Sequence, residues 1–492
     1  MALRATASSL LAAAAGLAAC ASLPGSTGMT PDMSVHARRP QLSDAQAAAY
    51  SRRRVLAAAG RAGALVEDGW DPLADPVITG GQAPRWDYRV DAATADGRTT
   101  FATVQGAVNR AHTDALADAA AGRPLPARRY IGIAPGDYPE LVYVPSGPVP
   151  LTLWGQGADA TQVRIHDAID GGLPAAEYIA RQAPVYEAPA MHPDIVAFYR
   201  ACSRQPTITT GCTAVMWVRA NGFQLRNVTV DNRYDQSRGG APRQPGGLHQ
   251  AVAFKAEGAD RLQLEQVRLL GHQDTLYLAA GAPDQVVRSF IHRSLVAGDV
   301  DFIFGPATAY FLASEIRFVG GLRQAASGYV AAPSTPLGVP YGLVFDDCDF
   351  TSAGGGQLVE RQAVFLARQW FSGARCSPYG PSAGSCSIAP KDSASNDGQT
   401  LGRTTLEAVG KMVVLRSRLG AHLQPEAPWS PWQADPAARN HRPVQYGSDD
   451  FWRLLQAAGK DPDALGYPRR TPPEPFLAEY RNTAGGPSAI RR

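Results

Sequence analysis

The 492-residue sequence has no strong excess of charge of either sign. Lys and Arg together number 47 and Asp and Glu 44, which gives a formal net charge of +3 at pH 7. So small an imbalance gives no reason to expect nucleic-acid binding or a basic membrane-surface patch. No apolar run inside the chain is long enough to span a bilayer. Hydrophobic residues nevertheless make up 45% of the chain, which indicates a globular protein with an ample core.

Cysteine is also scarce, with six in the chain, and the spacings do not resemble those of a zinc site. Cys202 and Cys212 bracket one short polar stretch, and Cys376 and Cys386 bracket another. In an oxidising compartment, each pair is expected to close a local disulfide loop. Cys348 is left over and is expected to be a small buried apolar residue.

The first twenty residues, MALRATASSLLAAAAGLAAC, have the layout of a secretory signal, with basic Arg4 followed by an apolar stretch. The ending resembles a bacterial lipobox, in which Cys20 would be lipidated and become the mature N-terminus. The alternative is a chance tract of small residues before a cysteine. With lipidation, we expect an outer-membrane lipoprotein of the cell envelope that faces the periplasm. Residues 21–84 would then form a tether and an N-terminal helical segment.

Glycine and proline are plentiful, at 49 and 39 residues, and they favour turns over long helices. Two segments nevertheless have the signals of a helix. Residues 42–63 offer Ser43 as an N-cap, a run of strong helix formers and Gly63 as a stop. Residues 448–459 offer Ser448 as a cap, acids in the first turn and Gly459 at the end.

The region between these helices repeats short β-rich runs separated by turns, such as FQLRNVTVDN, LQLEQVRLLG and AYFLASEIRFVG. Phe223, Leu262 and Val286 begin three such runs, on the scale of about 20–50 residues that is typical of solenoid repeats. The pattern predicts an all-β fold, a right-handed parallel β-helix, although a β-sandwich also fits the pattern alone. We place this domain at residues 85–425, followed by a C-terminal segment with a helix at 426–492.

Two acids occur beside apolar and aromatic residues, Asp301 in GDVDFIFG and Asp274 in GHQDTLY. A charge in such surroundings is costly unless it is paired or hydrogen-bonded. One interpretation is structural, with Asp301 capping a turn or pairing with an arginine. The other is catalytic, because paired carboxylates can act as nucleophile and acid when their environments separate their pKa values.

The spacing of these acids matches the length of one solenoid coil. Asp274 and Asp301 are 301 − 274 = 27 positions apart, and Gln250 and Gln273 are 273 − 250 = 23 positions apart. Residues one coil apart stack side by side on the same sheet face. The spacing therefore predicts that four polar side chains meet on one surface patch.

Five sequence blocks resemble the ordered signature segments of the pectin methylesterases, a family of carbohydrate esterases: GDYPE (136–140), QAVAF (250–254), GHQDTLY (271–277), GDVDFIFG (298–305) and LARQW (366–370). The resemblance covers about residues 85–420. It implies a single-stranded right-handed parallel β-helix with a pectin-lyase-like solenoid and short flanking helices. It also implies removal of methyl esters from galacturonate units of pectin or oligogalacturonides.

The resemblance implies a role for each polar residue of the patch. Asp301 matches the nucleophile, and Asp274 matches the general acid that later acts as the base. Gln250 and Gln273 match the amides that hold the developing oxyanion. Arg368 matches the arginine that hydrogen-bonds the nucleophile, fixes its orientation and keeps it ionised.

Other residues match substrate contacts or structural positions of the family. Trp370 matches a residue that stacks on the sugar ring, and Val300 and Phe304 match apolar substrate contacts. Core packing is the alternative for these three. Tyr138 and Glu140 fall in the block GDYPE, but we interpret them as structural residues.

A long insertion at residues 167–212 follows an early coil, where it could form a wall at one end of the cleft. A narrowed cleft would favour short oligogalacturonides over polymeric pectin. The insertion and the lipobox together resemble features of the bacterial, membrane-anchored members of the family.

The family chemistry requires no cofactor and no metal. The expected partners are a methyl-esterified galacturonan and, through the lipid anchor, a membrane; no nucleic acid is expected, and we expect a monomer. One alternative is an esterase or thioesterase acting on another acyl substrate. Another is a non-catalytic β-helix protein of the envelope.

Overall fold

The β-rich runs of the sequence form the successive coils of a parallel solenoid. A computed structural model of the chain describes residues 38–234, 249–320, 327–354, 356–380, 386–390, 393 and 396–485. Cys20 and the predicted signal lie outside these residues. Within them, three long sheets have parallel pairing throughout, and each strand pairs with the equivalent strands of the coils on either side. The prediction of a right-handed parallel β-helix is confirmed.

A complete coil contributes one strand to each of the three sheets, and sheet 2 has additional strands at the N-terminal end. Sheet 1 consists of β7 (Val142–Val144), β10 (Met216–Val218), β13 (Phe254–Glu257), β16 (Leu276–Ala279), β19 (Val300–Gly305), β22 (Gly328–Pro333), β25 (Val364–Arg368) and β30 (Trp429–Ser430). Sheet 2 consists of β4 (Thr100–Phe101), β3 (Tyr88–Val90), β5 (Arg129–Ile133), β8 (Leu151–Gly155), β11 (Gln224–Arg226), β14 (Leu262–Glu265), β17 (Arg288–His292), β20 (Thr308–Leu312), β23 (Leu343–Asp346), β28 (Met412–Leu415) and β31 (Leu477–Tyr480). Sheet 3 consists of β6 (Gly136–Tyr138), β9 (Val163–Asp167), β12 (Thr229–Asn232), β15 (Arg268–Leu270), β18 (Leu295–Gly298), β21 (Glu315–Phe318), β24 (Asp349–Ser352), β29 (Arg418–Leu419) and β32 (Thr483–Ala484).

Short elements flank or interrupt these coils. Two small sheets pair β1 (Ala58–Arg61) with β2 (Ala64–Glu67) and β26 (Ser387–Ile388) with β27 (Thr400–Leu401). Among the described residues, the α-helices are α1 (Asp44–Ala49), α2 (Arg52–Ala57), α3 (Pro76–Gly80), α4 (Val104–Ala120), α5 (Ala175–Tyr186), α6 (Pro193–Cys202), α7 (Gln357–Glu360), α8 (Arg403–Glu407) and α9 (Ser448–Ala457). Two 3₁₀ turns of this part of the chain lie at Pro72–Ala74 and Thr210–Cys212.

The turn from sheet 2 to sheet 3 has the same conformation in coil after coil. One residue adopts a left-handed backbone there, as at Asn227, Gln266 and Arg293 with φ of 55°, 53° and 49°. Each of these residues donates its backbone N–H to a carbonyl of the next coil, at 3.1, 3.0 and 3.1 Å. This hydrogen bond offsets the cost of a left-handed conformation in residues other than glycine.

Helix α4 begins against the first coils, and the block GDYPE adds to the cap that the Thr103 hydroxyl forms with the Gly106 backbone N–H. The Glu140 carboxylate accepts the backbone N–H groups of Val104 at 2.8 Å and Gln105 at 2.9 Å. These are N–H groups of the first helical turn, which have no partner within the helix. Tyr138 is buried, and its hydroxyl donates to the Ala134 carbonyl at 2.7 Å. The structural interpretation of this block is therefore confirmed.

The insertion folds into α5 and α6 and packs on the outer face of sheet 1. Tyr178 of α5 shares a hydrogen bond of 2.7 Å with the hydroxyl of Tyr143 on β7. Phe198 of α6 stacks on the Tyr143 ring, with centroids 5.3 Å apart. The Cys202–Cys212 disulfide closes the end of the insertion. The insertion thus has its own hydrophobic core, shared with the N-terminal end of sheet 1.

The prediction of one continuous helix over residues 42–63 is wrong, because two short helices and a hairpin occupy this segment. Ser43 caps α1 as predicted, but the helix ends at Ala49 and α2 ends at Ala57. The next residues form the β1–β2 hairpin, with Gly60 and Gly63 at φ of 94° and 80°. Glycine takes this left-handed backbone without strain, so the hairpin overrides the helix-forming composition around it.

The C-terminal helix and the cysteines follow the sequence more closely. Helix α9 begins at Ser448, but its N-cap is Gly447, because the Ser448 hydroxyl accepts the Glu474 backbone N–H instead. Gly459 follows the helix with φ of 69°, as its predicted stop. The disulfides Cys202–Cys212 and Cys376–Cys386 are both formed, and Cys348 is a buried free thiol. No helix in the described part of the chain is both long enough and apolar enough to cross a membrane.

We expect the stability of the fold to depend on pH through Glu140. Burial raises the pKa of its carboxyl to about 7, although the N–H groups of Gln105 and Val104 act in the opposite direction. The folded chain thus keeps a proton that the unfolded chain loses near pH 4.5, so this stabilisation is lost as the pH rises through about 7. Relative to Glu140→Gln, wild type should lose up to about 3 kcal/mol of unfolding free energy between about pH 5 and about pH 8.

Urea denaturation across this pH range measures the difference. The matched control is Glu426→Gln, which removes an exposed carboxyl. Its stability should follow that of wild type at every pH. If Glu140→Gln also runs parallel to wild type, the assignment of this pH dependence to Glu140 is wrong.

Candidate active site

A β-bulge sets the orientation of Asp301 at the start of β19. Val300 pairs with Tyr329 and Ile303 pairs with Ala331, so that two residues, Asp301 and Phe302, lie opposite one residue of β22. Phe302 is completely buried in the core of the coils, and Asp301 has a left-handed backbone with φ of 49°. Such bulges reorient a side chain next to a functional site.

The glycines at the two ends of GDVDFIFG leave no room for a side chain. A Cβ atom at Gly298 would lie 2.2 Å from the Cβ of Phe302. A Cβ atom at Gly305, whose φ is 121°, would lie 2.1 Å from the carbonyl oxygen of Leu278 on the adjacent strand. The close packing of neighbouring coils at this point therefore requires both glycines.

Arg368, the last residue of β25, holds the Asp301 carboxylate with two hydrogen bonds. Its Nε donates to Oδ1 at 2.8 Å and its Nη2 donates to Oδ2 at 2.6 Å. Burial alone would lower the pKa of Arg368, but the Asp301 charge and hydrogen bond raise it. The rings of Tyr329 and Trp432 lie 3.9 and 4.5 Å from the guanidinium carbon and help to fix its plane.

Asp274 lies on the coil before Asp301, as the spacing predicts. Its backbone N–H donates to the Val300 carbonyl at 3.1 Å, next to Asp301. Its own backbone is left-handed, with φ of 70°, and its residue exposure is only 7%, compared with 6% for Asp301. Two carboxyl residues in strained conformations, both largely shielded from water, are thus brought to consecutive coils.

The two glutamines continue the same arrangement, with Gln273 next to Asp274 and Gln250 on the coil before it. The Ala251 backbone N–H, next to Gln250, donates to the Gln273 carbonyl at 3.1 Å. Both side chains are half-buried. The structure therefore brings Gln250, Gln273 and Asp274 to the same part of sheet 1 as Asp301, and Arg368 is bonded to that acid.

An aromatic group lies beside these polar residues. Tyr277 of β16 pairs with Phe304 of β19, and their rings stack with centroids 4.2 Å apart. Trp370 is half-buried and meets the Phe304 ring edge-on at 5.7 Å. Phe304 is only 3% exposed, so its ring supports Tyr277 and Trp370 and offers little surface to a substrate. Val300 is half-buried beside Asp301.

Two groups of residues around the site have no recognisable signal in the sequence. Tyr329 and Trp432, which contact Arg368, lie outside the five blocks, and no spacing signal identifies them. Lys255 of β13 pairs with Tyr277, and its Nζ lies 3.6 Å from the centroid of the Trp217 ring. Burial lowers the pKa of Lys255 to about 8, and its ammonium donates to the Gly211 carbonyl of the insertion at 3.3 Å.

The geometry suits acyl transfer from an ester. The oriented carboxylate of Asp301 can attack a carbonyl carbon, and a second carboxyl one coil away can move a proton. The amide N–H groups of Gln250 and Gln273 can stabilise negative charge on an oxygen. The described residues at this site include no group of histidines and acids spaced for a metal.

Comparison with known proteins places the chain in one family. The family model described as Pectinesterase matches residues 194–377. Pectinesterase B of Dickeya dadantii (strain 3937) is 35% identical over 367 residues, which covers 73% of this chain and 79% of that protein. A putative acyl-CoA thioester hydrolase of Escherichia coli (strain K12) is 31% identical over 299 residues, covering 58% and 64%.

Solved structures support the same architecture. The structure of rice weevil pectin methyl esterase superposes with a TM-score of 0.64 and covers 92% of this chain and 98% of that one, at 23% identity. At this identity, the likeness is evidence for the fold alone. The similarity in sequence to the Dickeya protein extends over most of both chains, and we conclude that the chain belongs to the pectinesterase family.

Proposed function

We propose that this protein is a carboxylic ester hydrolase that removes methyl esters from galacturonate units of pectin or oligogalacturonides. The bidentate Arg368–Asp301 pair, one coil from Asp274, is the observation that carries the proposal. Membership of the pectinesterase family supplies the substrate class. The aromatic group around Trp370 provides apolar surface of the kind that sugar rings contact.

In the proposed reaction, the Asp301 carboxylate attacks the carbonyl carbon of the methyl ester. The tetrahedral intermediate collapses to an acyl-enzyme anhydride, and the bond to the methoxy oxygen breaks. Asp274, protonated at the start, gives its proton to that oxygen, so that methanol leaves. Water then attacks the substrate carbonyl of the anhydride and gives one proton to Asp274. The C–O bond to Asp301 breaks, and the Asp301 carboxylate and galacturonic acid are released, the latter ionising in water.

The remaining polar residues stabilise charge and fix geometry. The amides of Gln250 and Gln273 donate to the oxygen that becomes negative in the tetrahedral intermediate, where one such donor typically contributes about 3–4 kcal/mol. Arg368 keeps the Asp301 oxygens in position through two charge-assisted hydrogen bonds. Trp370 stacks on the sugar ring, and Val300 contributes an apolar contact beside the nucleophile.

We also propose that the insertion shortens the cleft. Its helices cover Tyr143 and Trp217, which share a row on the outer face of sheet 1 with Lys255 and Tyr277. Tyr277 is only half-buried, so the open part of this row begins there. A substrate chain would therefore meet the wall of the insertion close to the aromatic group, which favours short oligogalacturonides.

The proposed location is the cell envelope. The N-terminal sequence MALRATASSLLAAAAGLAAC supports this location, because it has the layout of a secretory signal that ends in a lipobox. Cys20 would be lipidated and would anchor the protein in the outer membrane on the periplasmic side. Two disulfides are consistent with an oxidising compartment. We further propose that the protein acts as a monomer.

A thioesterase activity is the alternative that the relative from Escherichia coli raises through its name. That relative matches a smaller share of this chain than the pectinesterase of Dickeya does, 58% against 73%. Methanol release from methyl-esterified oligogalacturonides and release of free thiol from acyl-CoA esters, assayed in parallel, separate the two. The proposal is wrong if only the thioester is cleaved.

Replacing Asp301 with Asn should abolish the reaction. The amide is a poor nucleophile, so the rate of methanol release should fall by at least about 10³-fold. The matched control is Asp346→Asn, because Asp346 forms a similar bidentate pair with Arg416 on sheet 2, away from the site. Loss of activity in both variants would indicate a folding defect, and full activity in Asp301→Asn would contradict the assigned nucleophile.

Replacing Arg368 with Lys should keep the charge but lose the bidentate geometry. A misplaced nucleophile lowers kcat, and we expect a fall of about 100-fold with little change in KM. Arg416→Lys is the control, since it alters the corresponding pair on sheet 2. Equal kcat values for wild type and Arg368→Lys would show that orientation by the guanidinium fork is not required.

The insertion should make kcat/KM higher on methylated oligogalacturonides than on intact, highly methylated pectin at equal concentrations of ester. Steady-state methanol release on the two substrates measures this ratio. Equal or faster turnover of the polymer would contradict a shortened cleft, although it would leave the esterase activity itself intact.

A further inference from the structure

Two histidines and an aspartate meet where the insertion contacts helix α4, apart from the ester-hydrolysis site. His112 lies on α4, and His192 and Asp194 lie at the start of α6. In the described part of the chain, this is the group of His, Cys, Asp or Glu side chains whose spacing suits a metal ion. The mechanism proposed above uses none of the three.

The distances between the polar atoms are close to those of a metal site. His112 Nε2 lies 2.8 Å from Asp194 Oδ2, and His192 Nδ1 lies 3.5 Å from the same oxygen. The three ligand atoms all lie within 4.8 Å of one another. Ligand atoms around a tetrahedral zinc ion are about 3.4 Å apart, given bonds of about 2.0–2.2 Å. Small side-chain shifts would therefore place all three around one ion.

The surroundings hold the two imidazoles in place. The side chain of Asn109, one turn before His112 on α4, donates to the Ala190 carbonyl at 2.9 Å and accepts the His192 backbone N–H at 2.8 Å. The two histidine rings meet edge-to-face with centroids 4.8 Å apart. The Asn109 hydrogen bonds thus hold the backbone of the insertion over α4 without using the three candidate ligand side chains. Second-sphere hydrogen bonds position ligands in metal sites in the same way.

The site combines a buried ligand with access from solvent. The side chain of His112 is 3% exposed, whereas those of His192 and Asp194 are 24% and 51% exposed. A hydrated metal ion can therefore reach the site from the surface and exchange its bound water for the three side chains while the insertion stays folded. Gly147 lies against the other side of His112, since a Cβ atom there would be 3.1 Å from Nδ1.

We propose that His112, His192 and Asp194 bind one divalent transition-metal ion, of which zinc is the best match. Two imidazole nitrogens and one carboxylate oxygen are common zinc ligands, and a water molecule completes the tetrahedron. Asp194 Oδ2 exchanges its hydrogen bond to His112 for a bond to the metal. His192 Nδ1, which accepts the Asp194 backbone N–H at 3.2 Å, exchanges that capping bond in the same way.

The bound ion would fasten the insertion to the body of the solenoid. α4 packs on sheets 1 and 2, and the insertion covers the end of sheet 1 beside the aromatic group. Bonds from the metal to His112 on one side and to His192 and Asp194 on the other would link α4 to the insertion, in addition to the apolar packing between them. The metal is therefore a structural clamp, and ester hydrolysis does not pass through it.

Zinc binding to the full-length protein, free of affinity tags and stripped with a chelator, tests the proposal. Titration against a chromophoric zinc indicator at pH 7.5 should show one tight equivalent, and the melting temperature should rise with added zinc. Substituting Co²⁺ should give the visible absorption bands of a four-coordinate site with nitrogen and oxygen ligands. This spectroscopic readout is independent of esterase activity.

Three variants identify the ligands. His112→Gln, His192→Asn and Asp194→Asn should each weaken zinc binding by at least about tenfold and remove the rise in melting temperature. His192→Asn keeps a side-chain oxygen for the helix cap, so it should fold even if the buried His112→Gln does not. His166→Asn is the matched control, because His166 lies 4.0 Å from Asp137 without a second histidine, and it should bind zinc like wild type.

Two outcomes would overturn the proposal. One is that wild type binds no zinc at a free concentration of about 100 µM, in which case the cluster is a hydrogen-bonded helix cap. The other is that His192→Asn and Asp194→Asn bind zinc as tightly as wild type, so that any bound ion lies elsewhere. Neither result would affect the esterase proposal, which methanol release tests separately.

Discussion

The backbone hydrogen bonds that stack one coil on the next are the constraint on which the site depends. Parallel strands lie about 4.8 Å apart, so residues that are one coil apart in sequence become neighbours in space. The bond from the Asp274 N–H to the Val300 carbonyl is one such contact, and it brings two acids 27 positions apart onto adjacent coils. Arg368 reaches Asp301 across 67 positions by the same stacking. A rigid sheet holds such groups more precisely than loops can.

The candidate active site is also where the regular stacking is broken. The bulge in β19 and the left-handed backbones of Asp274 and Asp301 each carry a conformational cost. Neighbouring structure holds these conformations in place: Gly298 and Gly305 permit close contact between coils, and Arg368 binds the carboxylate. The strained backbone thus lies in the segments that carry the two acids, and packing against the surrounding sheets holds it in that conformation.

The outer face of sheet 1 serves two purposes along its length. At its N-terminal end, Tyr143 and Trp217 are covered by the helices of the insertion. Further along, Tyr277 and Trp370 remain half-buried beside the acids. Lys255 lies between the two regions, with its ammonium over the Trp217 ring and bonded to the insertion. The insertion thus covers the aromatic row at one end of sheet 1 and leaves Tyr277 and Trp370 partly exposed at the other.

The sequence by itself determined the solenoid, the two disulfides and the positions of the acids and amides along the coils. These depend on repeats, spacing and motifs, which are local or recur at a fixed period. Only the tertiary structure decided that Phe304 is buried, that Tyr329 and Trp432 enclose Arg368, and that residues 58–67 form a hairpin. It also brought His112 to His192, 80 positions away on a different element. The physical reason is that such contacts depend on how separate elements pack, and neither periodicity nor local propensity encodes that packing.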